Sequence, residues 1–86
     1  MAVVLLPGTL AAEAGGQKRF ELKAATVGDA LRQLPVANLL FDESGELRRL
    51  VNVYVDGEDV RTRDGLDTPV RDSSTVILLP AMAGGC

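Results

Sequence analysis

The residues best suited to chemistry form the last six positions, AMAGGC, in which Gly84 and Gly85 precede Cys86, the single cysteine. Glycine has no Cβ, so two successive glycines can pass through a narrow channel and take backbone angles that other residues avoid. Fully extended, residues 80–86 reach roughly 23 Å at about 3.3 Å per residue. Small residues at a chain end are also typical of disorder alone, so the tail by itself is weak evidence of a function.

The inventory of catalytic side chains is small. The chain has no histidine and one cysteine, which excludes a His-based catalytic triad, a Cys–His pair and a Cys/His zinc site within the chain. Aspartates recur in the second half of the sequence, but they lack the spacing of a calcium-binding EF-hand loop and are better explained as solvated turns. We therefore expect no bound metal, no bound cofactor and no self-sufficient enzyme.

Length and charge further restrict the kinds of protein to which this sequence can belong. A chain of 86 residues allows one domain with a modest core. The net charge of −3, with one Tyr and two Phe, argues against a nucleic-acid partner. Apolar runs such as AVVLLP are shorter than the roughly 20 residues of a membrane helix, and no signal peptide is apparent. The predictions are a cytoplasmic location and no membrane partner.

The first third of the sequence predicts two strands. The apolar run AVVLL at 2–6 is typical of a buried strand. The glycines of GTLAAEAGGQK predict a turn rather than a phosphate cradle, because no GxGxxG or Walker pattern surrounds them. RFELKA then alternates, with Phe20 and Leu22 on one face, so we expect a hairpin whose second strand is apolar on one side.

A short amphipathic helix is predicted at TVGDALRQLP. Thr26 is a candidate N-cap, Asp29 lies where a negative charge favours the helix N-terminus, and apolar residues recur at helical spacing. Pro35 is expected to end this helix. Between residues 36 and 47 the pattern is weak, and we expect no second helix beyond turns near Leu39.

The second half predicts the rest of a sheet. In LVNVYVDGEDV, alternate valines point one way and Asn52 and Tyr54 the other, before a DG turn and a short return strand. The polar stretch TRDGLDTPVRDSS is expected to be a loop anchored by Leu66 and Val70. TVILLP is expected to be a buried strand that Pro80 ends.

Together these elements predict an α+β domain of order ββαββ. Its mixed sheet would take its central pair from the two chain ends, and one main helix would cover one face. The predicted boundaries are residues 1–79 for the domain and 80–86 for a flexible C-terminal tail.

Four segments, in this order and spacing, resemble one family: GGQK at 15–18, VNVYVDGEDVR at 51–61, GLDTPV at 65–70 and VILLPAMAGG at 76–85. They are similar to the ubiquitin-like sulfur carriers of the MoaD/ThiS family, and in particular to the carriers of bacterial cysteine biosynthesis. The resemblance covers nearly the whole chain. It implies the β-grasp fold and a protein cosubstrate rather than an enzyme.

The resemblance also implies a mechanism. An E1-like enzyme would adenylate the carboxylate of Gly85 and convert it to a thiocarboxylate. The sulfur would pass to a PLP-dependent cysteine synthase, and a JAMM-type zinc metalloprotease would release the amide-linked cysteine. ATP, PLP and zinc would belong to these partners, whose active sites would receive Ala83, Gly84, Gly85 and Cys86.

The folded body must supply most of the affinity for such partners, because ordering a tail costs about 1 to 2 kcal/mol per residue. Tyr54, Ile77 and Leu79 are the predicted partner-binding residues, on the side of the sheet away from the helix. The opposite assignment, with Val76 and Leu78 exposed, stays open because the apolar run is continuous.

Cys86 departs from the family pattern, which ends in Gly-Gly, and it leaves no free carboxylate on Gly85. Three interpretations are open: an encoded extension that a metalloprotease trims, which we rank first; newly made cysteine still joined to Gly85; and an engineered handle. The alternatives to the cysteine branch are a carrier for a secondary metabolite and a ubiquitin-like binding subunit, such as the small subunit of molybdopterin synthase.

Overall fold

The computed structural model describes residues 1–48 and 51–80, and it contains a five-stranded sheet with three helices and two 3-10 turns in that part of the chain. The elements are β1 (Ala2–Leu5), α1 (Gly8–Glu13), β2 (Arg19–Leu22), α2 (Val27–Arg32), α3 (Ala37–Leu40), β3 (Val51–Val55), β4 (Glu58–Asp59), the 3-10 turns Val60–Thr62 and Gly65–Asp67, and β5 (Thr75–Pro80).

The sheet is mixed, as predicted, with the strand order β2-β1-β5-β3-β4. β1 and β5 are parallel neighbours at its centre, so the two ends of the described chain form the central pair. All other pairings are antiparallel. Because β5 lies between β1 and β3, Pro80 is the end of a central strand of the sheet.

One face of the sheet carries the hydrophobic core. Alternate residues of the strands are buried there against α2, α3 and the loops. We call this side the covered face. Its buried strand residues are Ala2, Val4, Val51, Val53, Val55, Val76 and Leu78.

Helix α2 begins as the sequence predicted. The Oγ1 atom of Thr26 accepts a hydrogen bond from the backbone N–H of Asp29 at 3.2 Å, and a carboxylate oxygen of Asp29 accepts one from the N–H of Ala25 at 3.3 Å. The first bond satisfies a donor that the first turn leaves free, and the second ties the residue before the cap to the same turn. Val27, Ala30 and Leu31 are completely buried, so α2 is the main helix packed on the sheet.

The connection between β1 and β2 corrects the hairpin prediction. The strands do pair antiparallel, with Leu5 opposite Arg19, but α1 lies between them where a turn was expected. Its sequence, GTLAAE, is rich in good helix formers. The glycines that suggested a turn instead end this helix: Gly15 has a φ of 74°, and the N–H of Gly16 donates to the carbonyl of Ala11 at 2.7 Å.

The remaining loops agree with the sequence predictions. The single turn α3 lies where turns near Leu39 were expected. Asp56 and Gly57 form the predicted turn, both at positive φ, and β4 returns beside β3. Val70 is buried and Leu66 packs against the core, so both anchor the polar loop.

No helix in residues 1–48 and 51–80 is long and apolar enough to span a bilayer.

Candidate functional site: an open sheet face beside the tail

The predicted tail residues Ala83, Gly84, Gly85 and Cys86 lie outside the described residues. Pro80 is the last residue of β5 and the last one described. The boundary between residues 79 and 80 therefore stays a prediction. The structure instead defines the surfaces that surround the point where the tail begins.

No helix in residues 1–48 and 51–80 covers the side of the sheet opposite the core, and we call this side the open face. Ile77 and Tyr54 are partly exposed and lie directly opposite each other on β5 and β3. Leu79 is 44% exposed and lies opposite Asn52. The structure thus decides the assignment that the sequence left open: Ile77 and Leu79 lie on the open face, and Val76 and Leu78 lie in the core.

A row of five side chains crosses the open face at its middle. In register, the row consists of Arg19, Leu5, Ile77, Tyr54 and Asp59. Opposed residues on neighbouring strands have their Cβ atoms about 5 Å apart and form one continuous surface. The row is therefore apolar and aromatic in its centre, with a cation at one end and a carboxylate at the other.

Val3 and Leu5 of β1 belong to this face, and the sequence analysis missed them. Both are partly exposed, whereas the run AVVLL was interpreted as a strand buried on both sides. A continuous apolar run contains no alternation that separates one face from the other. The one available signal was the position of β1 beside β5, which places Leu5 next to Ile77.

Arg61 forms hydrogen bonds with the start of β3, which lies beside the end of β5. Its Nη1 atom donates to Oδ1 of Asn52 at 2.6 Å, and its Nη2 atom donates to the carbonyl of Val51 at 2.8 Å. Val51 lies opposite Pro80 in the β3–β5 register. The guanidinium therefore fixes the start of β3 beside the end of β5 and adds a positive charge close to Leu79.

The described residues contain no group of three His, Cys, Asp or Glu side chains that could hold a metal ion. Aspartates of the second half form hydrogen bonds within the loops and turns. For example, Asp56 accepts a hydrogen bond from the backbone N–H of Thr75 at 3.0 Å, and Asp59 accepts one from the backbone N–H of Arg61 at 2.9 Å. In residues 1–48 and 51–80, no buried side-chain polar atom lacks a hydrogen-bond partner.

Comparison with known proteins identifies the family. The profile of the ThiS family matches residues 4–85. The chain belongs to the ThiS family. This membership confirms the resemblance to ubiquitin-like sulfur carriers that the sequence segments suggested.

Known sulfur carrier proteins resemble the chain in sequence and in structure. The sulfur carrier protein CysO of Mycobacterium tuberculosis is 39% identical over 89 aligned positions, which cover 95% of this chain and 96% of CysO. The crystal structure of M. tuberculosis CysO superposes with a TM-score of 0.87 at 36% identity, covering 95% of this chain and all of CysO. These likenesses confirm the predicted β-grasp fold.

A second solved structure contains a similar carrier bound to another protein. In the BexX/CysO complex of Amycolatopsis orientalis, the matching chain is 37% identical with a TM-score of 0.82, and the match covers 99% of this chain and 100% of that chain. The ThiS family match to our chain runs through Gly84 and Gly85 and stops before Cys86. Both tail glycines therefore belong to the family pattern, and Cys86 lies beyond it.

Proposed function

We propose that this protein is a sulfur carrier whose Gly85 carboxylate is the site of activation. The observation that carries the proposal is the family match, which includes the tail glycines together with nearly all of the folded body. The similarity to CysO over 95% of the chain supports it. The protein then acts as a cosubstrate of partner enzymes, which supply the catalytic groups that this histidine-free chain lacks.

The activation proceeds in two steps, adenylation and sulfur transfer. A carboxylate oxygen of Gly85 attacks the α-phosphorus of ATP in an E1-like enzyme and releases pyrophosphate. A sulfur donor at the oxidation level of hydrosulfide then attacks the acyl-adenylate carbonyl and releases AMP, which leaves a thiocarboxylate. Both reactions need the carboxylate deep in a partner's active site, where side chains at positions 84 and 85 would collide with the channel.

We further propose cysteine as the product. A PLP-dependent synthase would supply a dehydrated amino-acid acceptor, and the thiocarboxylate sulfur of Gly85 and a proton would add across its double bond to give a thioester. An S-to-N acyl shift then produces cysteine in amide linkage to Gly85, and a JAMM-type zinc metalloprotease hydrolyses that amide. Cys86 fits this scheme either as an encoded extension trimmed by the protease, which we rank first, or as the product before release.

The open face is the proposed docking surface for the E1-like enzyme. Its apolar centre is the row around Ile77 and Tyr54, and Leu79 extends it towards the start of the tail. An apolar centre with charged ends is the usual composition of a specific protein interface. The BexX/CysO complex supports the idea that carriers of this shape bind a second protein.

Intact mass spectrometry tests the proposed activation. The chain ending at Gly85 is incubated with the E1-like enzyme of the same organism, ATP and sulfide, beside the chain that retains Cys86. We expect the exchange of one oxygen for sulfur only in the chain that ends at Gly85. A Gly85→Val variant of that shorter chain is the matched control and should stay unmodified.

If the shorter chain gains no sulfur, the proposed function is wrong. The mature mass in the native host, compared with the mass the gene encodes, separates the two interpretations of Cys86. Co-purification distinguishes the main alternative: a PLP-dependent synthase supports the cysteine branch, and a large molybdopterin-synthase subunit supports a binding subunit. The cytoplasmic location stays a prediction.

A further inference from the structure

The sheet has two outer edges, and the strands at these edges differ in length. β4, at one edge, has two residues, and β2, at the other, has four. In residues 1–48 and 51–80, no strand pairs with the outer side of β2. An edge of this kind presents backbone N–H and C=O groups that another strand can bind, and short edge strands limit such pairing. β2 is therefore the edge that is long enough to accept a further strand.

Alternate residues of β2 direct their backbone groups towards β1. The N–H of Leu6 donates to the carbonyl of Lys18 at 2.8 Å. Hydrogen-bonded residues alternate along an antiparallel pair of strands, so Phe20, two residues after Lys18, also bonds with β1, where it lies opposite Val4. The N–H of Val3 instead donates on the side of β5, as this alternation requires.

Arg19 and Glu21, on either side of Phe20, direct their N–H and C=O groups away from the sheet. The side-chain amide of Gln17 donates to the carbonyl of Arg19 at 2.9 Å, which agrees with an outward carbonyl. The side chains alternate as well: Phe20 packs against the core, whereas Arg19 and Glu21 are exposed and form an ion pair at 2.9 Å. The outer edge of β2 therefore combines outward backbone groups with a cation and an anion.

We propose that β2 pairs antiparallel with β2 of a second copy of this chain, with Phe20 opposite Phe20 of the second copy. Arg19 of each copy then lies opposite Glu21 of the other. Because both residues direct their backbone groups outward, each of these pairs exchanges N–H···O=C hydrogen bonds. A carbonyl oxygen has two lone pairs, so that of Arg19 accepts the new bond beside the amide of Gln17.

Charge selects both the occupant of the edge and the register of the pairing. Outward residues of one copy have to face outward residues of the other, so the possible registers differ by two residues. A shift in one direction places Arg19 opposite Arg19, and a shift in the other places Glu21 opposite Glu21; like charges directly opposite each other are destabilising. The register centred on Phe20 pairs opposite charges and brings two aromatic rings together, which is stabilising. The edge is thus complementary to itself, which favours a second copy as its occupant.

The pairing joins two sheets into one and places their open faces on the same side. Ile77 and Tyr54 stay uncovered, because they lie on β5 and β3, away from β2. The contact between two strands of this length is smaller than a standard interface of about 1,200 to 2,000 Å², so the association is weak and depends on concentration. It involves no step of the proposed sulfur chemistry, and either proposal can therefore fail without the other.

Sedimentation equilibrium measures the self-association of the full chain, with Cys86 alkylated beforehand so that no disulfide links two copies. Concentrations from about 10 µM to about 1 mM cover the range of a weak interface. We expect monomer at the low end and a rising fraction of dimer towards the high end. Amide hydrogen exchange measured by NMR should slow at Arg19 and Glu21 as the concentration rises, whereas Phe20, which already bonds with β1, should change little.

Charge reversal tests the register. Glu21→Arg places a cation opposite Arg19 of the second copy, and Arg19→Glu places an anion opposite Glu21, so each variant alone should dimerise roughly tenfold more weakly or worse. Mixed in equal amounts, the two variants have opposite charges on their edges and should form a heterodimer. The double variant exchanges the two charges and should dimerise like the original sequence.

The ion pair between Arg63 and Glu58 supplies the matched controls, because it joins the same two residue types beside β4, at the other edge of the sheet. Glu58→Arg and Arg63→Glu change the net charge by the same amounts as the two test variants. Both should dimerise like the original sequence. Circular dichroism verifies that every variant is folded.

A protein that stays monomeric over the whole concentration range would overturn the proposal. Dimerisation that survives Glu21→Arg but is lost in Ile77→Asp would overturn it too, because the interface would then be the open face. Failure of both the mixture and the double variant to dimerise would contradict the register. Slower amide exchange at Glu21 only after a partner enzyme is added would assign the edge to that enzyme instead of a second copy.

Discussion

The covered and open faces of the sheet are built from the same strands but have different chemistry. On β5, Leu78 is 1% exposed and its neighbour Leu79 is 44% exposed. The covered face is closed by helices and loops, whereas the centre of the open face stays apolar with nothing from the described chain packed over it. An apolar surface that a fold leaves open adds little to stability, and this difference between the faces underlies the docking surface proposed above.

The largest expected effect is a difference between Leu78 and Leu79 in what each side chain contributes to the free energy of unfolding. Leu78→Ala should lower the free energy of unfolding by about 2 to 5 kcal/mol, because it removes contacts and leaves a cavity. Leu79→Ala should cost less than about 1 kcal/mol, because much of that side chain is already in water. Urea unfolding of the two variants measures the difference.

Equal losses of unfolding free energy in the two variants would mean that Leu79 is part of the core. The covered and open faces would then not differ on β5. The pair is well matched because the two residues have the same type and adjacent positions on one strand.

The second effect concerns binding. Ile77→Asp places a charge in the middle of the row that crosses the open face. Loss of one central interface contact of about 2 kcal/mol should lower kcat/KM for adenylation by the E1-like enzyme roughly thirtyfold. The exchange of pyrophosphate into ATP at limiting carrier concentration measures it.

Ala12→Asp provides the control, because Ala12 is exposed on α1, a helix whose Leu10 and Ala11 pack with the core. It should be adenylated at the normal rate. If Ile77→Asp is also adenylated normally, the open face is not the docking surface. Tyr54→Ala, a change in the same row without a new charge, should reduce the rate in the same direction.

The sequence predicted those features that depend on local periodicity. The valines of β3 alternate with Asn52 and Tyr54, so their two faces were predicted correctly. The Thr26 cap was found because it needs a donor only three residues away. The central pairing of β1 and β5 followed from their apolar composition, since the most buried strands lie in the middle of a sheet.

The features that the sequence did not reveal depend on contacts between distant segments. The outward direction of Val3 and Leu5 is set by their neighbours across the sheet, because the run AVVLL has no internal alternation. The sequence did not reveal α1 because Gly15 and Gly16, which follow it, are compatible both with a turn and with the end of a helix. The role of the tail glycines stays a prediction, because both lie outside the described residues.

Arg61 tests how much the open face contributes to the fold itself. Its guanidinium bonds Asn52 and the carbonyl of Val51, contacts nine and ten residues away that no local pattern predicts. Arg61→Met should reduce the free energy of unfolding by about 1 kcal/mol, the scale of a lost hydrogen-bonded contact at a solvated site. The matched change Arg63→Met removes an exposed ion pair with Glu58 and should cost less than about 0.5 kcal/mol. Chemical denaturation measures the free energy of unfolding of the two variants. Equal, small losses of that free energy would show that Arg61 positions the start of β3 without stabilising it. The core of the covered face would then be the source of stability.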